Sequence, residues 1–318
     1  MDRIVSWWDR FQIPLYLVAL IAGAVIGSAF SGSAEVFEAA INPSLILLLY
    51  ATFLSIPIMK LGSSLKDLKF LSALLLVNFL IVPAVVFILS RFFLGNDAVL
   101  IGFTLVMLAP CIDYVIVFSG LAGASQGKLL AATPILMGLQ IVVIPIFLSL
   151  FVGTNVLGEV SWKPFANAFF FLILIPLVAA AITQKAMGKY RAAQSISNAA
   201  EAFMVPLMII TLFVVVASQF ETVTGNLSEL LAVIPLYIAF LVIMVPIGMV
   251  VSTMFKLSAP DKRAIVFSGA TRNSLVVLPL ALALPEQLQL AAVIVVTQTL
   301  VELIGMVIYV KLMPQLIK

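Results

Sequence analysis

Leu108-Ala109-Pro110-Cys111-Ile112-Asp113-Tyr114 interrupts an otherwise apolar stretch that runs from about residue 98 to 122. A second interruption, Ser268-Gly269-Ala270-Thr271-Arg272-Asn273-Ser274, lies inside the apolar stretch from about 263 to 284. Proline removes a backbone donor and clashes with the preceding helical turn. Glycine, serine and threonine loosen the hydrogen-bond ladder, and backbone groups freed at membrane depth are tolerated where they line a wet cavity. Both stretches are therefore expected to unwind, with Pro110 and Gly269 as the breakers, and to cross. Charge sharpens this reading. Asp113, Arg272 and Glu302 fall within apolar spans, where an ionisable group is costly enough to mark a functional site.

Composition agrees. Of 318 residues, 64% are hydrophobic and 10% charged, and the mean hydropathy is +1.25. A soluble domain carries about 25% charged residues, so the chain reads as a polytopic membrane protein. The basic residues are scattered through loops without a patch, which argues against nucleic acid. A single cysteine precludes an internal disulfide, and the absence of histidine leaves any proton relay to carboxylates. No metal-binding motif or nucleotide loop is present, so neither an enzyme nor a cofactor is expected. The segment Met1–Arg10, with Trp7 and Trp8 among charges, reads as interfacial.

A span needs about 20 mostly apolar residues. Ten are expected, at about 12–31, 42–60, 69–93, 98–122, 128–152, 164–185, 199–220, 229–255, 263–284 and 287–311. With the N-terminus inside, fourteen of the 17 basic residues fall in cytoplasmic segments, and only Arg91 and Lys163 lie outside; Arg272 sits in a span. By the positive-inside rule this places both termini in the cytoplasm, in a cell (inner) membrane protein. Glu201 reads as a carboxylate at the cytoplasmic end of span seven. Gly23-x-x-x-Gly27 in span one reads as a close helix-packing site, without arguing for a dimer.

The halves echo one another. Phe79-Leu80-Ile81-Val82-Pro83 in span three corresponds to Phe240 through Pro246 in span eight, at an offset of roughly 162 that also pairs Cys111 with Asn273 and Gln140 with Glu302. Five spans is an odd number, so a second copy must enter the membrane from the opposite face. The expected fold is all-α: ten transmembrane helices in two inverted five-helix repeats, about 1–155 and 160–318, in one membrane domain over 1–318. Helices four and nine are broken and crossing. Such repeats place cargo near the midplane, on helices broken at matching positions.

Several residues admit two readings. Cys111 is either a small buried hydrophobe or a soft ligand for a thiophilic centre. Glu302 either exchanges a proton, its pKa raised by burial, or bonds Gln298 or Thr299 as interhelical glue. Asp113 and Arg272 are expected to face each other across the crossing, either as a structural clamp or with Arg272 binding an anionic substrate, helped by the positive ends of the half-helices. Thr271, Asn273 and Ser274 supply neutral hydrogen bonds. Gln140 and Gln298 are candidate cavity-lining groups.

Ala109-Pro110-Cys111, then Val115, Leu121-Ala122 and Gly127, resembles the fourth span of arsenite efflux permeases, a branch of the bile acid/sodium symporter superfamily. Thr271-Arg272-Asn273-Ser274 is similar to that branch's ninth-span break, and Leu300-Val301-Glu302 to its tenth-span carboxylate. The resemblance implies that Cys111 and Glu302 are the functional pair. It has departures. Where the sodium-coupled branch carries Glu-x-x-x-Gln-Asn, this chain has Ser268 through Arg272-Asn273, and that branch's Ser-Asn pair is here Val115-Ile116. The arsenite branch usually has Asn where Arg272 stands and lacks Asp113. The expectation is a secondary transporter that exports arsenite or a related metalloid in exchange for protons across the bilayer. The alternative is a sodium- or proton-coupled transporter of a small organic anion.

Overall fold

The computed structural model describes residues 2–29, 34–55, 67–93, 95–111, 114–152, 167, 169–187, 189–225 and 227–318. Among them there is no strand, and the chain is all-helical. Apolar side chains dominate every helix, as a chain must when its backbone groups have to be satisfied inside lipid. Among the described residues, six helices are long and apolar enough to cross a membrane, or seven if a helix bent by 45° near residue 201 counts as one span. The predicted fourth and ninth spans are absent from that set because each is divided into two short helices.

The chain forms two compact units. One contains α1 (Asp2–Ala29), α2 (Ala34–Ser55), α8 (Ile175–Met187) and α9 (Arg191–Gly225). The N-terminal segment read as interfacial is continuous with α1, and Trp7 and Trp8 pack edge-on with centroids 5.2 Å apart. Gly23 and Gly27 let α1 approach α9 closely. A Cβ on Gly23 would lie 2.7 Å from the Phe213 carbonyl, and one on Gly27 would lie 2.8 Å from that of Ala217. Gln184 donates to the Phe53 and Leu54 carbonyls, and Tyr50 shares a 2.9 Å hydrogen bond with Thr183, which ties α2 to α8. The side chain of Glu201 lies outside the described residues.

The other unit holds both of the spans that are divided into two short helices. It begins with α3 (Leu68–Leu76), a π-helical turn (Val77–Ile81) and α4 (Val82–Ser90). Next come α5 (Asp97–Met107), α6 (Tyr114–Leu121) and α7 (Gln126–Val152). From the second half of the chain come α10 (Leu227–Met254), α11 (Ala259–Ala270), α12 (Ser274–Leu282) and α13 (Leu290–Leu316). Gly102 lets α5 lie against α13, where a Cβ would meet the Ala291 carbonyl at 2.7 Å. Tyr237 and Tyr309 donate to the Ile294 and Leu241 carbonyls, fastening α10 to α13.

One end of this unit is polar. Lys128 at the start of α7 bonds Asp67 before α3 at 2.6 Å and Asp261 in α11 at 2.9 Å. The hydrogen bond from Lys128, then that from the Phe70 amide, holds the Asp67 carboxyl below its ordinary range. Burial pushes Asp261 up, but hydrogen bonds from Ser125, Lys128 and Ser258 outweigh it and leave the carboxyl lowered. Arg263 reaches the Ala122 and Gly123 carbonyls after α6 and the Ile317 carbonyl after α13. Four chain segments that are distant in sequence thus meet at one end of this unit.

Candidate functional site

Helix α5 stops at Met107, and Pro110 has no N–H with which to continue it. Helix α11 stops at Ala270, one residue beyond Gly269, so Gly269 lies in the last turn and the unwound stretch is Thr271-Arg272-Asn273. Gly269 serves packing instead: a Cβ there would meet Val77 Cγ1 at 2.6 Å. The two unwound stretches cross as a short antiparallel bridge between Pro110 and Arg272. Cys111 N–H donates to the Thr271 carbonyl at 3.3 Å, and Asn273 N–H to that of Ala109 at 2.8 Å. Backbone groups released by the breaks thereby satisfy each other.

Arg272 is fully buried, at 0% exposure. Its Nη2 donates to the Ser268 carbonyl at 2.7 Å, the Gly269 carbonyl at 2.8 Å and Asn78 Oδ1 at 3.0 Å. Its Nη1 faces the Met107 carbonyl at 3.5 Å, and the guanidinium carbon lies 5.7 Å from the centre of the Phe240 ring. Ser268, Gly269 and Met107 are the C-terminal ends of α11 and α5, where helix dipoles leave partial negative charge. The guanidinium thus sits at the negative ends of two half-helices. Asp113, the expected partner of Arg272, lies outside the described residues.

Glu302 in α13 is also buried, and its Oε2 accepts the Arg272 backbone N–H at 2.8 Å and a bond from Gln298 Nε2. Thr271 C=O and Arg272 N–H belong to one peptide group. Cys111 therefore bonds one end of that peptide through its amide, and Glu302 bonds the other through its carboxylate.

The neutral residues occupy the same place. Asn273 Oδ1 caps α12 by accepting from Val276 N–H at 3.2 Å. Thr299 donates to Ser274 Oγ at 2.6 Å, and Thr271 Oγ1 donates to the Phe267 carbonyl at 2.8 Å. Asn273 Nδ2 and Gln298 Oε1 are buried and make no hydrogen bond among the described residues. A small cavity beside the crossing is lined by Met107, Tyr237, Phe240, Ala270, Gln298 and Glu302. Gln140 in α7 is buried as well, but it does not line this cavity.

Asn78 was not among the sequence candidates. It lies in the π-helical turn, and its Nδ2 donates to the Leu74 carbonyl and to Ser268 Oγ, both at 3.0 Å, while its Oδ1 faces Arg272. The available signal was a lone amide in the middle of the span at 69–93. An amide surrounded by apolar residues at that depth needs a polar partner.

A sequence model of the Sodium Bile acid symporter family matches residues 42–230. Comparison with curated proteins gives no match.

Proposed function

The chain belongs to the Sodium Bile acid symporter family, a membrane transporter family, and from that premise we propose that it is a proton-coupled exporter of arsenite or a related metalloid. It has ten spans in two inverted repeats. The directions of the helices favour the inversion. Helix α3 starts at the polar end marked by Lys128, Asp67 and Asp261, whereas its repeat counterpart α10 finishes just before α11 starts at that end. The distribution of basic residues favours a cytoplasmic location for this end and for both termini.

The observation that carries the reading is the shared peptide: Cys111 and Glu302 hydrogen-bond opposite ends of the Thr271–Arg272 peptide group. Neutral trihydroxy-arsenic enters from the cytoplasm and needs no charged anchor. The Cys111 thiol displaces one hydroxyl, forming a sulfur–arsenic bond while the hydroxyl leaves as water with the thiol proton. A single thiol holds the cargo loosely, which suits release. The open hydrogen-bonding positions of Asn273 and Gln298 suit the remaining hydroxyls. A proton reaching Glu302 from outside weakens its hold on the Arg272 amide. The peptide that also holds Cys111 is loosened, water attacks arsenic, and the cargo departs with the thiol restored. A small organic anion held by Arg272 is the weaker reading, because the guanidinium already faces four acceptor oxygens.

Arsenite accumulation in everted vesicles with an imposed pH gradient tests this. Uptake is expected to follow the gradient with or without sodium, and to drop at least tenfold in Cys111→Ser and in Glu302→Gln. If both variants transport like the parent, the metalloid reading fails.

A further inference from the structure

The ends of α5 and α11 turn their last carbonyls toward one point in the buried interior. Helix C-termini attract cations, and half-helix ends in transporters are places where hard cations are held by oxygen. Among the described residues, the oxygens gathered here are Met107 O, Ser268 O, Gly269 O and Asn78 Oδ1. Such a neutral set suits an alkali cation in ligand type. The position is taken by the protein itself: Nη2 of Arg272 holds three of these oxygens at 2.7–3.0 Å. The family's description implies sodium, and these residues do not fit a sodium ion at this point. The ion would compete with a guanidinium for the same carbonyls, at a distance where two positive charges repel strongly. A guanidinium also stays charged at any physiological pH, so it does not vacate the position by losing a proton.

We infer that the guanidinium of Arg272 is a tethered, permanent substitute for a coupling cation. It neutralises the two half-helix ends in every state, so no monovalent metal ion is bound or needed there. Asn78 is the positioning residue: it accepts from the guanidinium and, by donating to Ser268 Oγ, joins the π-helical turn to α11. The consequence for coupling rests on the transporter reading, since a fixed charge cannot be exchanged across a membrane and the driving ion must act elsewhere. The oxygen cage itself is independent of the cargo. It predicts that removing the side chain while keeping its oxygens creates a site that sodium or free guanidinium fills.

The test is thermal unfolding of the purified full chain in nanodiscs, in sodium, potassium or choline chloride at equal ionic strength, with and without millimolar guanidinium. The parent is expected to unfold at the same temperature in all of them. Arg272→Ala is expected to unfold several degrees lower in choline and to recover, saturably, in sodium or guanidinium. Arg272→Lys, which keeps a cation in place, is expected to show no sodium response. Saturable, sodium-specific stabilisation of the parent would overturn the inference. So would an Arg272→Ala protein that responds to no cation, or that fails to fold in any of these salts. Transport does not enter the readout, so a failed arsenite assay leaves this result standing and the two ideas fall separately.

Discussion

The two broken spans reach the same crossing by opposite chemistry. In the first, α5 stops because a donor is missing: Pro110 has no amide hydrogen to continue the ladder. In the second no proline occurs between Ala259 and Asn273 apart from Pro260 in the first turn of α11, and the helix stops because its final carbonyls are engaged by a side chain. One break comes from subtraction and the other from occupation. The lesson is that a helix at membrane depth can be opened from its acceptor side as well as its donor side, provided a buried cation takes the freed oxygens.

This contrast can be broken most severely at Arg272. Arg272→Leu fills the cage with hydrocarbon and leaves the carbonyls of Ser268 and Gly269 without their side-chain donor. It is expected to lower stability by about 3–5 kcal/mol, the cost of breaking a buried charged network, and sodium should not restore it because no room remains. Reversible unfolding in mixed micelles measures the loss. Pro110→Ala is the counterpart on the other span. Restoring the amide hydrogen gives α5 the means to extend past Met107 in competition with the bridge to Arg272, and the freer unfolded chain adds a cost of about 0.4–1 kcal/mol. A loss as large as that of Arg272→Leu would show that the two breaks are not distinct in kind.

The smallest effect concerns the solvent-side latch, where charges titrate as the guanidinium does not. Asp67 and Asp261 have carboxyl pKa values below their ordinary ones in the folded protein. Their contribution is therefore complete above the ordinary carboxylate range and is lost as pH falls through the lowered values. Because Lys128 and Asp67 are partly exposed, the contribution amounts to at most about 1 kcal/mol. Unfolding midpoints of the parent and Lys128→Met should differ near neutral pH and converge in strong acid.

Much of the site was legible in the sequence because cost makes it visible. A charge or a polar run inside an apolar span is rare, and Arg272, Glu302 and Cys111 were found on that ground. The close approach permitted by Gly23 and Gly27 was legible for a similar reason, since small residues at helical spacing have few other uses. Gly269 was misplaced as a breaker because a glycine that loosens a helix and one that admits a neighbour look alike until the neighbour, Val77, is known. Asn78 escaped because a single amide gives no spacing to recognise. The shared peptide could not be foreseen at all: which carbonyl and which amide belong together at a crossing is decided by register between segments some 160 residues apart, and local pattern does not encode it. The partition into two compact units was equally hidden, because each unit draws on both halves of the chain.

The π-helical turn at Val77–Ile81 carries a genetic consequence. A turn of this kind holds one more residue than an α-helical turn, so the widening between α3 and α4 depends on a single extra codon. Deleting one codon between 77 and 81 would let the segment close into an ordinary α-helix, with α3 and α4 keeping their relative faces because the wide turn absorbs the extra residue locally. The wide turn that carries Asn78 to Ser268 and Arg272 would be lost without any change in hydrophobicity. Length variation in this five-residue window should therefore be counter-selected far more strongly than substitution.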